Sequence, residues 1–392
     1  MERELGADDG PSSGVPASGS AAATGVEPPP PTDDTDPAWR EALPGLAAYF
    51  LVSRLLVLLV AGVLLAIPVA HVPDTWTDRP MLAALTGSDA VYYLGIAAEG
   101  YHLDAVRGAY HDWAFFPLFP LAVRAVALLT GVDLAWAGVM TANLAFGAAM
   151  LVLYGLSVPH LGRRTAGRAV GMLALAPGGV AFAMAYSDSL YLLLAAGAFL
   201  AGERRRWPVA GLLYGLASLT RLPGVLLGIP IALLLLQANA WQPDRRIAWL
   251  AAGPLALAGF ATWQGLALGD PLAFLHAQAA WAIPSVVDGG GSGGPMVLPA
   301  LLIATLLFYT FLLVYLRPDR IPPPYLVLAL VSLGAVLASL RLQSVARYLA
   351  VAWPFAWVLA KRRGWFADVW PYVTAGLFAI SAVAHFTQAL AP

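Results

Sequence analysis

Asp89, Asp188, Arg221, Arg341 and Arg347 are charges set at the ends of apolar runs, and their types bound the chemistry open to them. Ser88-Asp89-Ala90-Val91-Tyr92-Tyr93-Leu94-Gly95-Ile96 reads as a helix start, with Ser88 as N-cap and Gly100 as the stop. Asp89, Tyr92, Tyr93 and Ile96 then share one helical face. A carboxylate in a first turn is stabilised in its charged form by the helix dipole, so Asp89 is either a proton acceptor beside an aromatic pair or a second capping acid.

Asp188 sits in Tyr186-Ser187-Asp188-Ser189, a tight turn between two short apolar runs. An acid at that depth is a functional candidate by default; its alternative is turn formation with the flanking serines. Arg221 precedes Leu222-Pro223-Gly224, a helix break of the kind tolerated where it lines a cavity inside a membrane protein. Arg341 and Arg347 are candidate site cations or interfacial anchors that snorkel. His276 follows Gly269-Asp270-Pro271 on a segment ending in Trp281, and is either a ligand or a surface residue. No HExxH or comparable spacing occurs, so no obligatory metal or other cofactor is expected, although a divalent ion is left open. With no cysteine in the chain, thiol nucleophiles and disulfides are excluded.

The elements that must position these residues are membrane helices. Of 392 residues, 59% are apolar and 11% charged, with mean hydropathy +0.72, which a water-facing surface does not tolerate. Residues 1–41 hold nine acids against Arg3 and Arg40, a net −7, and the rest of the chain carries +6. The first 36 residues, rich in Gly, Ala, Ser, Pro and Asp, are expected to be a disordered acidic tail. No basic face with interleaved aromatics appears, so no nucleic-acid partner is expected.

Apolar runs follow at 43–70, 114–130, 134–157, 168–185, 188–202, 207–221, 223–240, 246–268, 295–316, 324–341, 345–360 and 367–389. Arginine clusters at 163–164, 204–206, 245–246, 317 and 320, and 361–363 with Lys361 mark five cytoplasmic loops by the positive-inside rule. Parity then makes 114–130, with Arg124 inside it, an interfacial or re-entrant helix and leaves about eleven spans. The expected architecture is an all-α multi-pass protein of the cell membrane. It has a cytoplasmic tail over 1–41, a membrane domain over 42–392, a first external loop at 71–133 carrying interfacial helices, and a second external loop at 269–294. Glycines at 289–291, 293 and 294, with Ser292, make a flexible linker or a hinge for the second loop.

Several stretches resemble, in order, the PIG-V-like mannosyltransferases, the family of the second mannosyltransferase of GPI-anchor assembly and its actinobacterial relatives. They are Ser88-Asp89 with Tyr92-Tyr93-Leu94 and Gly100-Tyr101; Ala114-Phe115-Phe116-Pro117-Leu118-Phe119-Pro120; and Ala185-Tyr186-Ser187-Asp188-Ser189-Leu190-Tyr191. Ala217-Ser218-Leu219-Thr220-Arg221-Leu222-Pro223-Gly224, Gly269-Asp270-Pro271-Leu272-Ala273-Phe274, and Arg347-Tyr348 with Trp353-Pro354 complete the set. Ser88 stands where the family usually has Trp and Asp188 where it usually has Glu, so the carboxylates are kept.

The resemblance implies a GT-C glycosyltransferase that takes mannose from a polyprenyl-phosphate donor on the extracytoplasmic face and passes it to a lipid or glycan acceptor, within membrane lipid. An inverting transfer needs a base, and Asp89 is the residue chosen. The departing lipid phosphate needs cations, and the planar guanidinium fork of Arg221, Arg341 and Arg347 matches its oxygens. Tyr92, Tyr93, Tyr186, Asp188 and His276 are the implied substrate-binding residues. A transporter or lipid flippase is the alternative, and a noncatalytic envelope scaffold a third reading. No internal repeat supports the transporter.

Overall fold

The first apolar run becomes helix α1, Trp39–Ala66, in the computed structural model, which describes residues 37–66, 79–104, 112–242, 244–279, 321–339, 345–362 and 364–386. Ser53, Val57, Ala61 and Leu64 face inward, while Leu51, Leu55 and Leu59 on the other side are 56–62% exposed. A helix whose outer face is leucine is at home in hydrocarbon and not in water. α1 begins before the expected boundary at residue 42, because Trp39 packs edge-on against Tyr154 at 5.3 Å. Arg54 lies 4.6 Å from the Phe146 ring centroid and so ties α1 to α5, Leu134–Leu161.

The stretch expected as the first external loop is largely helical. It holds α2 (Pro80–Leu85), α3 (Asp89–Glu99), a 3₁₀ turn at Asp112–Ala114 and α4 (Leu118–Thr130). Asp133 then caps α5, its carboxylate accepting the Trp136 N–H at 3.0 Å. After α5 come α6 (Arg163–Ala174), a 3₁₀ segment (Pro177–Phe182), α7 (Asp188–Glu203) and α8 (Trp207–Ser218). α5, α7 and α8 pack as neighbours, and the buried residues of α5 and α7 include many small ones, among them Ala142, Ala145 and Ala149 on α5 and Ala195, Ala198 and Gly202 on α7. Small side chains let helix backbones approach where lipid supplies no hydrophobic drive between them.

A 3₁₀ turn at Leu222–Leu227 leads into α9 (Gly228–Ala238), and another at Arg245–Ala251 into α10 (Ala252–Leu268). The remaining helices are α11 (Ala273–Ala279), α12 (Pro323–Ser339), α13 (Val345–Ala350), α14 (Pro354–Ala360) and α15 (Trp365–Phe386). Among the described residues, helices over Trp39–Ala66, Leu134–Leu161 and Asp368–Phe386 are long and apolar enough to cross a membrane.

Among the described residues, the other expected spans are shorter or broken. The 168–185 run is cut before Pro177 and the 345–360 run before Pro354. Proline lacks an N–H and disfavours the helical conformation in the residue before it, so an apolar run does not translate into one straight helix. Residues 1–36, His71, Asp74, Asp78, His111, Trp281, the 289–294 stretch, the 295–316 run, Arg317, Arg320, Arg341 and Arg363 lie outside the described residues.

Candidate active site

Asp89 opens α3, as the sequence predicts, and Gly100 ends it at φ 87°. Ser88 departs from expectation: it occupies the cap position at φ 53° and its side chain makes no capping hydrogen bond. A non-glycine residue in the left-handed region is strained, and this strain lies next to Asp89. One helical turn on, Tyr93 is buried with its hydroxyl 2.7 Å from Ser187 Oγ. Tyr92 stacks on Phe115 at 4.8 Å. Burial first, then the charges of Asp89 and Asp112, raises the Tyr92 pKa, so its phenol stays a hydrogen-bond donor.

Three further segments converge on this helix start. Asp188 begins α7 with no exposed surface. Arg221 follows α8, where Gly224 folds back so tightly that a Cβ there would lie 2.3 Å from the Ala217 carbonyl oxygen. Arg347 lies on α13, against the 3₁₀ segment at Pro177–Phe182, where a Cβ on Gly178 would lie 2.7 Å from Arg347 Cα. The helix break read from Leu222-Pro223-Gly224 therefore does line an internal space.

The four charges form one chain. Arg347 Nη1 donates to Asp89 Oδ2 at 2.5 Å, and its Nε donates to Asp188 Oδ2 at 2.8 Å. Arg221 Nη1 donates to the other oxygen of Asp188. The Arg347 guanidinium lies 4.4 Å from the Tyr186 ring centroid and that of Arg221 4.7 Å from Tyr348. Two carboxylates and two guanidiniums offset one another, which is what makes their burial tolerable.

A cavity of about 470 Å³ opens on this chain, with Asp89, Tyr93, Arg221 and Arg347 in its wall and Phe116 and Leu226 among its apolar lining. Asp188 and Tyr186 are not in that wall; both are fully buried behind it, against Arg347. No hydrogen bond from a described residue reaches Asp89 Oδ1, and none of the described acceptors takes Arg347 Nη2 or Arg221 Nη2. The wall thus offers an open carboxylate oxygen and open guanidinium donors side by side.

His276 is placed elsewhere. It is exposed and its Nδ1 meets Asp270 Oδ2 at 2.7 Å, although Leu275 and Gln278 of the same helix line the cavity. Two residues that sequence reasoning did not single out support the site. Asp112 is buried and its Oδ2 meets His102 Nδ1 at 3.0 Å, while Asp112 Oδ1 has no partner among the described residues. Gln264, fully buried, donates to the Trp113 carbonyl at 2.9 Å and accepts the Phe274 N–H at 2.9 Å, clamping α11 to the Phe115-Phe116 wall. A glutamine inside the apolar 246–268 run was the available signal. Among the described residues, no group of three or more His, Asp or Glu side chains is placed to hold a metal ion.

Residues 115–264, which carry half of this wall, match the family described as dolichyl-phosphate-mannose-protein mannosyltransferase. The GPI mannosyltransferase 2 of Chaetomium globosum is 27% identical over 258 residues, 54% of this chain and 51% of that protein. That of Yarrowia lipolytica is 31% identical over 156 residues, 39% of this chain and 41% of the relative. The chain therefore spans about half the length, or less, of the curated relatives it matches. Among solved structures, an oligosaccharyltransferase of Archaeoglobus fulgidus superposes with TM-score 0.50 at 15% identity, over 90% of this chain and 56% of that one, a likeness of fold. In its matched segments the chain is similar to these mannosyltransferases, and its all-helical membrane fold is like that of the oligosaccharyltransferase.

Proposed function

We propose that the chain transfers mannose from a polyprenyl-phosphate donor to a hydroxyl of a lipid or glycan acceptor, with inversion, on the extracytoplasmic face of the membrane. The observation that carries this reading is the juxtaposition of one carboxylate, Asp89, with two guanidiniums, Arg221 and Arg347, in the wall of one cavity. The acceptor oxygen attacks the anomeric carbon as Asp89 takes its proton, and the bond from that carbon to the phosphate oxygen breaks with its electron pair left on phosphate. Arg221 and Arg347 receive that charge, and Arg341 is assigned the same role from its expected place at the external end of an apolar run. Tyr92 and Tyr93 give the sugar an aromatic flank. Asp188 and Tyr186 act through Arg347 and not on substrate. His276 is assigned to the rim, on the helix whose Leu275 and Gln278 line the cavity.

The proposed orientation has a physical support. Asp188 and Glu203 begin and end the same 16-residue helix, about 24 Å long, so the site and the arginines at 204–206 lie at opposite ends of α7. With those arginines in the cytoplasm, Asp89 faces the other side.

The test supplies full-length protein in lipid nanodiscs with radiolabelled polyprenyl-phosphate mannose and membrane glycolipid. Transfer should fall about 10²- to 10⁴-fold in Asp89→Asn, the worth of a positioned base. Equal transfer by both proteins would remove Asp89 from its role, and movement of intact donor across the bilayer without transfer would favour a flippase. Because the chain has no cysteine, cysteines introduced singly at positions 89, 163 and 205 report sidedness; labelling of 89 and 163 from the same side would overturn the orientation.

A further inference from the structure

Arg347 has one fixed side and one exchangeable side. Its Nε bond to Asp188 at 2.8 Å and its contact with the Tyr186 ring at 4.4 Å are to fully buried partners behind the cavity wall. Its Nη1 bond to Asp89 is to a partner in that wall whose side chain is 19% exposed. Nη2 finds no acceptor among the described residues. The cluster of Asp89, Asp188, Arg221 and Arg347 is electroneutral, so an entering phosphodiester brings a negative charge with no cation of its own and competes with Asp89 for Arg347.

We propose that Arg347 passes from Asp89 to the donor phosphate during transfer, turning about its bond to Asp188. This rests on the mannosyl-transfer reading above. As the acceptor hydroxyl bonds to the anomeric carbon, its proton goes to Asp89, which becomes neutral. The bond from anomeric carbon to phosphate oxygen breaks and its electron pair stays on the phosphate, which gains a second negative charge. The charge that leaves Asp89 is the charge that arrives on phosphate, so site and donor together keep the same total. A protonated Asp89 no longer competes for the guanidinium, and the cation follows the negative charge. One arginine between base and leaving group thereby couples proton removal to departure of the lipid phosphate.

The test measures binding of polyprenyl phosphate alone to the full-length protein in nanodiscs. Asp89→Asn, nearly isosteric, should bind about tenfold or more tightly than the parent, because Arg347 is released from its competitor. In an Arg347→Gln background the same change should yield little gain, since the coupling between position 89 and the phosphate runs through the arginine they share. Arg347→Met, similar in length but without charge, serves as that background if Arg347→Gln does not fold. Asp89→Asn binding no tighter than the parent, or an equal gain without Arg347, would overturn the exchange while leaving the transfer reading intact. Failure of the parent to bind polyprenyl phosphate would overturn both.

Discussion

Asp89 and Arg347 stand 258 positions apart in the chain and meet at 2.5 Å in the cavity wall. The proton acceptor and the phosphate-facing cation of the proposed reaction are therefore already in contact before any substrate arrives. Each orients the other, and Asp188 and the Tyr186 ring behind them hold the Arg347 guanidinium in place.

Asp188 is the member of the chain whose loss should cost most in stability. It is fully buried and gives one carboxylate oxygen to each of two arginines. Asp188→Ala leaves both guanidiniums short of a buried partner, and breaking such a pair costs about 3–5 kcal/mol. Thermal unfolding in detergent should show a marked fall in Tm. An unchanged Tm would mean that water or another acid replaces the carboxylate.

Gly178 should be as sensitive as a charged residue, for steric reasons. A Cβ there would lie 2.1 Å from the Ala346 carbonyl oxygen and 2.7 Å from Arg347 Cα, both backbone atoms that cannot rotate away. Gly178→Ala should push α13 off the 3₁₀ segment, cost about 1–3 kcal/mol and weaken polyprenyl-phosphate binding with it. Gly62→Ala on α1, where a Cβ meets nothing within 4 Å, is the control and should be neutral or slightly stabilising. Equal behaviour of the two variants would contradict this packing.

His102 should confer a pH dependence on the segment beside the site. The hydrogen bond that His102 donates to Asp112, and then the charge of Asp112, raises the His102 pKa above the ordinary value of 6.5. A histidine raised in the folded state contributes stability fully below its unfolded pKa and loses it as pH rises through the folded value. Tm followed by tryptophan fluorescence should therefore decline across that window in the parent and stay flat in His102→Gln. Because the His102 side chain is 58% exposed, the decline should be small. Parallel slopes would show that the pair does not contribute.

Much of the molecule is legible in local sequence. Composition and run length made it an all-helical membrane protein, because hydrocarbon excludes unpaired backbone and charge from any segment that crosses it. The start of α3 at Asp89, its end at Gly100 and the break after Arg221 follow from capping, glycine and proline chemistry that acts within a few residues. Gln264, a polar side chain inside an apolar run, was equally readable and was passed over.

Helix length was less legible, since Pro177 and Pro354 divide apolar runs that hydropathy alone leaves whole. The grouping of charges was not legible at all. Sequence placed Asp89, Asp188, Arg221 and Arg347 at the ends of apolar runs as separate candidates, and set Tyr186 and His276 beside them. Only the packing of α3, α7, the end of α8 and α13 decided that Arg347 bridges the two acids, that Tyr186 lies against Arg347 behind the wall, and that His276 turns to Asp270. Burial is locally encoded by each side chain's transfer free energy, whereas an ion pair depends on the distance between groups carried by different helices, which no local pattern contains.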